Sequence, residues 1–316
     1  MHAGRIGSML ARAGSRAQRR GLATKVDMAA LKRLRQLNAV PLTKAREALA
    51  RAGNDVERAL AQLERDALAA GAQKAAKVRD RVAAEGAVAV YAHGGRAAMV
   101  ELGCETDFVA RNATFVGLAT RVAAAAAGLG AAGAVAEVRV DELADARVDE
   151  LANARVGGRR VDGLRVGDAV TDAIGRLGEN MVLRRAAAAG GAGTVAGAYV
   201  HGGGGGAGRI GALVALRSDG DAAALGELAR QLAQHVVGFA PRHATRADAP
   251  DAAPDTVLET QAFVFGGGSV GDVLAQRAAA LGAAVHVAGF VRFERGEGVA
   301  RPAQPDFAAE VRRQLQ

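Results

Sequence analysis

Residues 102–112 read Leu-Gly-Cys-Glu-Thr-Asp-Phe-Val-Ala-Arg-Asn, and the rest of the chain is understood from this run. An acid and a large ring, Asp107 and Phe108, stand side by side directly after an apolar, strand-like stretch at 97–102. The chain has eight Phe, two Tyr and no Trp, so one of its few large rings has been set beside a charge. Two readings are open at this point. Phe108 is either the first core residue of the helix that follows, or an anchor presented on a loop for insertion into a partner, since aromatic anchors dominate protein–protein hot spots.

On either side of this run the chain repeats itself. The two tyrosines open matching segments, Tyr91-Ala92-His93-Gly94-Gly95 and Tyr199-Val200-His201-Gly202-Gly203. Each leads into an apolar run, at 97–102 and 210–216, then a polar loop, then a helical pattern at 115–127 and 222–237. Apolar stretches flanking a glycine turn read as a β-hairpin, so each copy is a hairpin packed on a helix. The second copy has Arg217-Ser218-Asp219-Gly220-Asp221 where the first has its acid–aromatic pair.

The N-terminal part is helical. Asp27 caps a helix carrying Leu31, Leu34 and Leu37. Pro41 suits the first turn of a second helix, where its missing N–H would be unpaired anyway. Gly53 is a natural stop, and Asn54 with Glu57 resembles a capping box opening a third helix. Residues 69–82, with Lys74, Lys77, Arg79 and Arg81, read as a linking helix with a solvated face.

The formal charge of +8 over 316 residues is unevenly placed. Arg5, Arg12, Arg16, Arg19 and Arg20 precede the first acid, Asp27, and removing those five leaves +3 for the remainder. This is no clustered basic face of the kind nucleic acid demands. An acid-free, Arg-rich leader is the signature of an organellar transit peptide, and 19–24 reads as its processing site. Cys104 is the single cysteine, which excludes an internal disulfide or a Cys-based zinc site. No apolar stretch is long enough to predict a transmembrane helix. Aromatics are 3% of residues and alanine supplies most of the apolar content, so the core is expected in several small units.

The run Thr106-Asp107-Phe108-Val109, with its Cys-Glu and Ala-Arg-Asn flanks, resembles the signature of the translation elongation factor Ts family. Further matches are the 52–59 segment Ala-Gly-Asn-Asp-Val-Glu-Arg-Ala, the Leu177-Gly178-Glu179-Asn180 segment, Gln261-Ala262-Phe263-Val264, and Gly289 to Gly298. The resemblance covers nearly everything after residue 26. It implies an α+β fold, with an N-terminal three-helix, ubiquitin-associated-like bundle followed by two similar lobes of hairpin packed on helix. The expected organisation is a leader at 1–24, the bundle at 25–68, the linker at 69–82, lobes at 83–176 and 177–305, and a terminal helix at 306–316. A helical hairpin that many members insert after the second-lobe helix is absent; 240–255, rich in Pro, Asp and Ala, reads as irregular.

What the resemblance implies for function is guanine-nucleotide exchange on elongation factor Tu, in an organelle and most naturally the mitochondrial matrix. Thr106, Asp107, Phe108 and Val109 would form the exchange loop, and His201, Arg111 and Asn112 a weaker partner contact. No cofactor, nucleic acid or membrane is implied, and the chain is not expected to be an enzyme. An adaptor binding ribosomes or nascent chains through the three-helix module is the alternative. Other motifs fall away on chemical grounds. Gly202 to Gly206 is followed by no Gly-Lys-Ser/Thr, so it is no phosphate loop. Gly267-Gly268-Ser269-Val270-Gly271 has the form of a nucleophile elbow, but Ser269 is better placed to cap the next helix. The six histidines lack ligand spacing.

Overall fold

A computed structural model describes residues 25–38, 40–130, 133–148, 155–156, 159–160, 163–191 and 193–300. The expected leader at 1–24 and terminal helix at 306–316 lie outside the described residues. The chain divides into two compact units between Arg65 and Asp66.

The first unit holds α1 (Met28–Leu37), α2 (Leu42–Ala52) and the start of α3 (Val56–Val78). Asp27 caps α1 by accepting from the Ala29 N–H, and Leu31, Leu34, Leu49, Ala59 and Leu63 meet in its core. Two expectations are corrected here. Asn54 does not begin the third helix, because it adopts the left-handed conformation, φ +68°. Its amide instead ties the chain entry, accepting from the Asp27 N–H and donating to the Lys25 carbonyl, both at 2.9 Å. Asp55 takes over the cap, accepting from the Arg58 N–H at 3.0 Å. The third helix also does not stop at residue 68; it runs to Val78, so bundle and linker share one helix.

The second unit begins, after α3, with β1 (Glu85–His93), β2 (Arg96–Cys104), α4 (Asp107–Ala110), α5 (Ala113–Leu129), β3 (Gly133–Val138) and α6 (Val140–Asp145). A two-residue pair follows, β4 (Arg155–Val156) with β5 (Arg159–Arg160), then α7 (Val166–Leu177). The remainder is β6 (Met181–Gly190), β7 (Thr194–His201), β8 (Ala207–Gly208), β9 (Ile210–Ser218), α8 (Gly226–Phe239), α9 (Val270–Leu281) and β10 (Val285–Glu294).

Two antiparallel sheets result. One has the order β3-β6-β2-β1-β8 and the other β10-β9-β7. The alternation of strand side chains sorts their residues cleanly. Ala98, Val100 and Leu102 of β2 and Ala186 and Ala188 of β6 face α5 with Phe115, Leu118 and Val122. Their neighbours Ala97, Met99, Ala187 and Ala189 face the second sheet, meeting Leu213, Ala215 and Phe293. The far side of that sheet, with Val214 and Leu216, is covered by Leu228, Leu232 and Val236 of α8. The layers are therefore helix, sheet, sheet, helix, an α+β fold. Both expected hairpins form, β1–β2 and β7–β9, each followed by an outer helix.

The expected lobe boundary at 176/177 does not separate the sheets. β6 is hydrogen-bonded between β2 and β3, and β8 adds to the edge of β1. The alanine runs, which look uninformative in sequence, are what permit close layers: a Cβ on Gly130 would lie 2.5 Å from the Ala188 Cβ. At Gly197 in β7 an added Cβ would come within 2.3 Å of the α8 backbone at Ala229.

One charge is buried between the sheets. Glu101, 1% exposed, accepts from Arg184 at 2.7 Å, Arg185 at 2.6 Å and the Gly296 N–H at 2.7 Å. Truncating one member of such a buried group leaves the others uncompensated. Glu101→Ala is expected to lower stability by about 3 kcal/mol, the low end for a buried ion pair because both arginines keep some solvent access, as read by urea unfolding. Cys104 ends β2, fully buried, and burial is the first cause of a thiol pushed up to about 12, with the Glu179 charge next. Since the folded value lies above the ordinary 9.0, the thiol's contribution is full below that value and lost as pH climbs toward about 12. Native protein is accordingly expected to resist iodoacetamide at pH 9.0, the ordinary thiol value, and to react promptly once unfolded in urea.

Candidate functional site

The site begins where β2 ends. Thr106 is extended, φ −122° and ψ 155°, and its hydroxyl oxygen accepts from the Val109 N–H at 3.3 Å. This N-cap turns residues 107–110 into a single helical turn, so the acid and the ring sit on the first turn of a helix and not on a loop. Asp107 at the first helical position is also where a negative charge is favoured by the helix dipole. The turn buries Val109 and Ala110 in the first core and leaves Phe108 81% exposed. Phe108 is thus not a core residue. Val109 is, and its side chain belongs to the anchor of the turn and not to the contact surface.

Arg111 closes the turn. It pairs with the Asp107 carboxylate one helical turn away, and its Nε donates to the Asp107 carbonyl at 3.2 Å. Both side chains are well exposed, 73% and 44%, so this pair orients the acid without adding much stability. Asn112 starts the next helix, its side chain accepting from the Thr114 N–H at 2.8 Å.

The second hairpin reaches this same region. Its tip, Gly202 to Gly206, has left-handed backbone at Gly202, Gly205 and Gly206. At Gly203 an added Cβ would fall 2.1 Å from the Ala207 carbonyl. Glycine is therefore a steric requirement here, beyond any bias of composition. The tip lies on α5: a Cβ on Gly206 would be 3.0 Å from Thr120, and one on Gly205 3.4 Å from Val116. The Val90 N–H donates to the Gly206 carbonyl at 2.9 Å. A shallow groove of about 330 Å³ results, with Ala110, Arg111 and Val116 on one wall and Gly203, Arg209 and Arg295 on the other. His201 stands at the base of this tip, exposed, with its Nδ1 3.2 Å from the Tyr199 hydroxyl. The structure so brings Arg111 and the loop after His201 to one groove beside the Phe108 turn. The corresponding place in the second copy holds only the end of β9 and Asp219-Gly220-Asp221, with no ring.

Residues that the sequence reading did not single out support the turn. Both oxygens of Glu179 accept from Thr106, Oε1 from its hydroxyl at 2.6 Å and Oε2 from its N–H at 3.0 Å. Glu105 in turn accepts from the Asn180 N–H at 2.6 Å. The available clue was Val109: an apolar residue three places after a Thr cap leaves that cap without its local acid. Arg81 and Lys74, expected in a solvated face, reach Glu105 and the Gly175 carbonyl respectively, both at 3.5 Å.

Elsewhere, Ser269 caps α9 in a full capping box, its hydroxyl 2.8 Å from Asp272, which holds that carboxyl below its ordinary value. Its partner is an acid and not a histidine, as in a helix cap and unlike a nucleophile. His286 lies exposed on β10. Among the described residues no group of three His, Cys, Asp or Glu is placed to hold a metal ion, and no helix is long and apolar enough to cross a membrane.

A family model described as Elongation factor TS matches residues 105–255. The elongation factor Ts of Maricaulis maris (strain MCS10) is 36% identical, over 90% of this chain and 97% of its own length. That of Caulobacter vibrioides is 35% identical over 91% and 97%, and that of Rhodospirillum rubrum 35% over 92% and 99%. With almost the whole of each relative aligned at about a third identity, and the Thr106–Val109 turn inside the matched span, the chain belongs to the elongation factor Ts family.

Proposed function

We propose that this chain promotes release of GDP from elongation factor Tu during translation elongation, with Phe108 and Asp107 as the working groups. The observation that carries the reading is a phenyl ring 81% exposed on a one-turn helix, beside an exposed carboxylate, in a chain of this family. A GTPase holds its nucleotide through a phosphate loop and a magnesium ion that bridges phosphates and switch residues. Phe108, seated between elements of the partner's nucleotide domain, displaces them. Asp107, arriving with it, disturbs the magnesium environment, and loss of that neutralising charge loosens the phosphates. Arg111, Asn112 and His201 contribute flanking contacts, while Thr106 and Val109 hold the turn. Binding free energies are reciprocal, so a factor that weakens nucleotide binding is itself expelled when nucleotide returns. No bond is made or broken by the chain, which acts by binding and not as a chemical catalyst.

The residues 25–68 are assigned to partner docking without exchange chemistry, since they carry helices and a charged surface but no acid–aromatic pair. The Arg-rich, acid-free residues 1–24 support a mitochondrial matrix location, although the three relatives named above are bacterial. N-terminal sequencing of the protein purified from its organelle is expected to find the chain starting close to Leu22–Thr24; an intact Met1 on the functional form overturns the assignment.

The test of the exchange reading is release of labelled GDP from elongation factor Tu. Phe108→Ala is expected to slow release by about 30-fold, the equivalent of a 2 kcal/mol hot spot. Its melting temperature should stay at the wild-type value, because an exposed ring leaves no cavity. Asp107→Ala should reduce release less, with the smallest effect where magnesium is already scarce. Asp219→Ala, in the ring-free second copy, is the control. If it damages release as much as Phe108→Ala, the assignment of the wedge to the first hairpin is wrong.

A further inference from the structure

We infer that Glu179 is a positioning residue for exchange: from a distant segment it completes the helix cap that sets Asp107 and Phe108. This rests on the exchange reading above and adds to it the group that holds the turn in its working orientation.

A helix of four residues cannot hold itself, because the nucleating turn fixes more backbone than its bonds repay. The usual local remedy is a capping box, in which an acid three places after the cap reaches back to the cap's own N–H. Here that place is Val109, which is buried in the core, so the acid must come from elsewhere. Glu179 supplies it, and more. Its Oε2 takes the Thr106 N–H at 3.0 Å, the bond a box would make, and its Oε1 takes the Thr106 hydroxyl proton at 2.6 Å. With that proton directed to Glu179, the hydroxyl oxygen keeps its lone pairs for the Val109 N–H at 3.3 Å. The Thr106 carbonyl is held as well, by the Ala110 N–H at 3.1 Å and the Cys104 thiol at 3.2 Å. Every polar group of the residue before Asp107 is thereby fixed.

The grip is mutual. Glu105 accepts from the Asn180 N–H at 2.6 Å, and the buried Asn180 amide donates to the carbonyls of Arg79 at 3.1 Å and Arg81 at 2.8 Å. Residues 105–106 and 179–180 therefore exchange bonds, and the pair is anchored to the segment that follows α3. The sheet does not need Glu179 for its own pairing, since β2 and β6 are already in register up to Cys104 opposite Met181. Both carboxylate oxygens are committed to the cap of the exchange turn.

The experiment uses the full chain with elongation factor Tu, measuring GDP release against factor concentration so that maximal rate and half-saturating concentration are separated. Amide hydrogen exchange is followed at residues 106–110 of the same variants. Glu179→Ala is expected to lower the maximal rate by roughly tenfold, the rate equivalent of one charge-assisted hydrogen bond. The half-saturating concentration should move by no more than about twofold, as for a loss confined to the activated complex, while protection at Thr106, Val109 and Ala110, whose N–H groups bond Glu179 and Thr106, falls. If Glu179→Ala does not fold, the isosteric Glu179→Gln carries the same test with an intermediate loss. Unchanged protection at 106–110 overturns the inference, as does a rise in half-saturating concentration with the maximal rate intact. Should Phe108→Ala leave release unaffected, the exchange reading fails by itself, and the amide protection still decides whether Glu179 sets the turn.

Discussion

The two sheets are held face to face by one buried carboxylate. Successive residues of a strand normally point to opposite faces, so Arg184 and Arg185 should not be able to reach the same group. A β-bulge makes it possible: the register of β2 against β6 slips between Glu101 and Leu102, which pair with Arg185 and Leu183. The extra residue, Arg184, is turned onto the carboxylate that Arg185 already holds. Glu101 also accepts from the Gly296 N–H, and Arg185 donates to the Glu294 carbonyl while stacking 4.3 Å from the centre of the Phe293 ring. The end of β10, in one sheet, is thereby fastened to the middle of the other. An interface built mainly from alanine offers little apolar area per residue, and area is what drives burial. The ion group supplies a fixed register that such small side chains cannot define alone.

That rigid base explains how an exposed phenyl ring can be held ready. An ordinary protein surface tolerates scattered apolar residues, but a ring that is to enter a partner must lose little freedom on binding. Val109 and Ala110 bury the inner side of the turn, Thr106 closes its start, and Arg111 steers the acid at its rim. Ring and acid lie on consecutive residues of one turn, so they are presented together. The groove beside them, made jointly by α5 and the tip of the second hairpin, widens the surface a partner can meet.

Much of this was legible in the residues. The paired Tyr-x-His-Gly-Gly segments disclosed the two hairpins, Asp27 and Gly53 bounded helices as caps and stops should, and the Thr-Asp-Phe-Val run pointed to the family. The misses have physical causes. Asn54 reads as a cap until its left-handed backbone is known. The bulge at Arg184 has no sequence mark, because it depends on which strands pair. Likewise β6 looks like the opening of a second lobe, and only the hydrogen-bond ladder reveals it between β3 and β2 in the first sheet. Alanine and glycine runs carry little periodic contrast, although at Gly130, Gly197 and Gly203 the absence of a side chain is what lets backbones approach. Glu179 was quoted as part of a motif without a role, since a cap completed across more than seventy residues leaves no local pattern.

The interleaving of the strands has a consequence for how the protein is made. The sheet that bears the Phe108 turn takes an interior strand from residues 181–190 and its edge from 207–208, while β7, between them in sequence, belongs to the other sheet. A hairpin of residues 85–104 emerging from the ribosome therefore waits, with its second edge unpaired, for roughly another hundred residues of synthesis. At ordinary elongation speeds that is on the order of 5–20 seconds, long compared with the microseconds in which a hairpin forms. During that interval the nascent chain exposes the same strand edge that the finished protein conceals, so a protein that serves translation passes through its own most vulnerable state while translation is completing it.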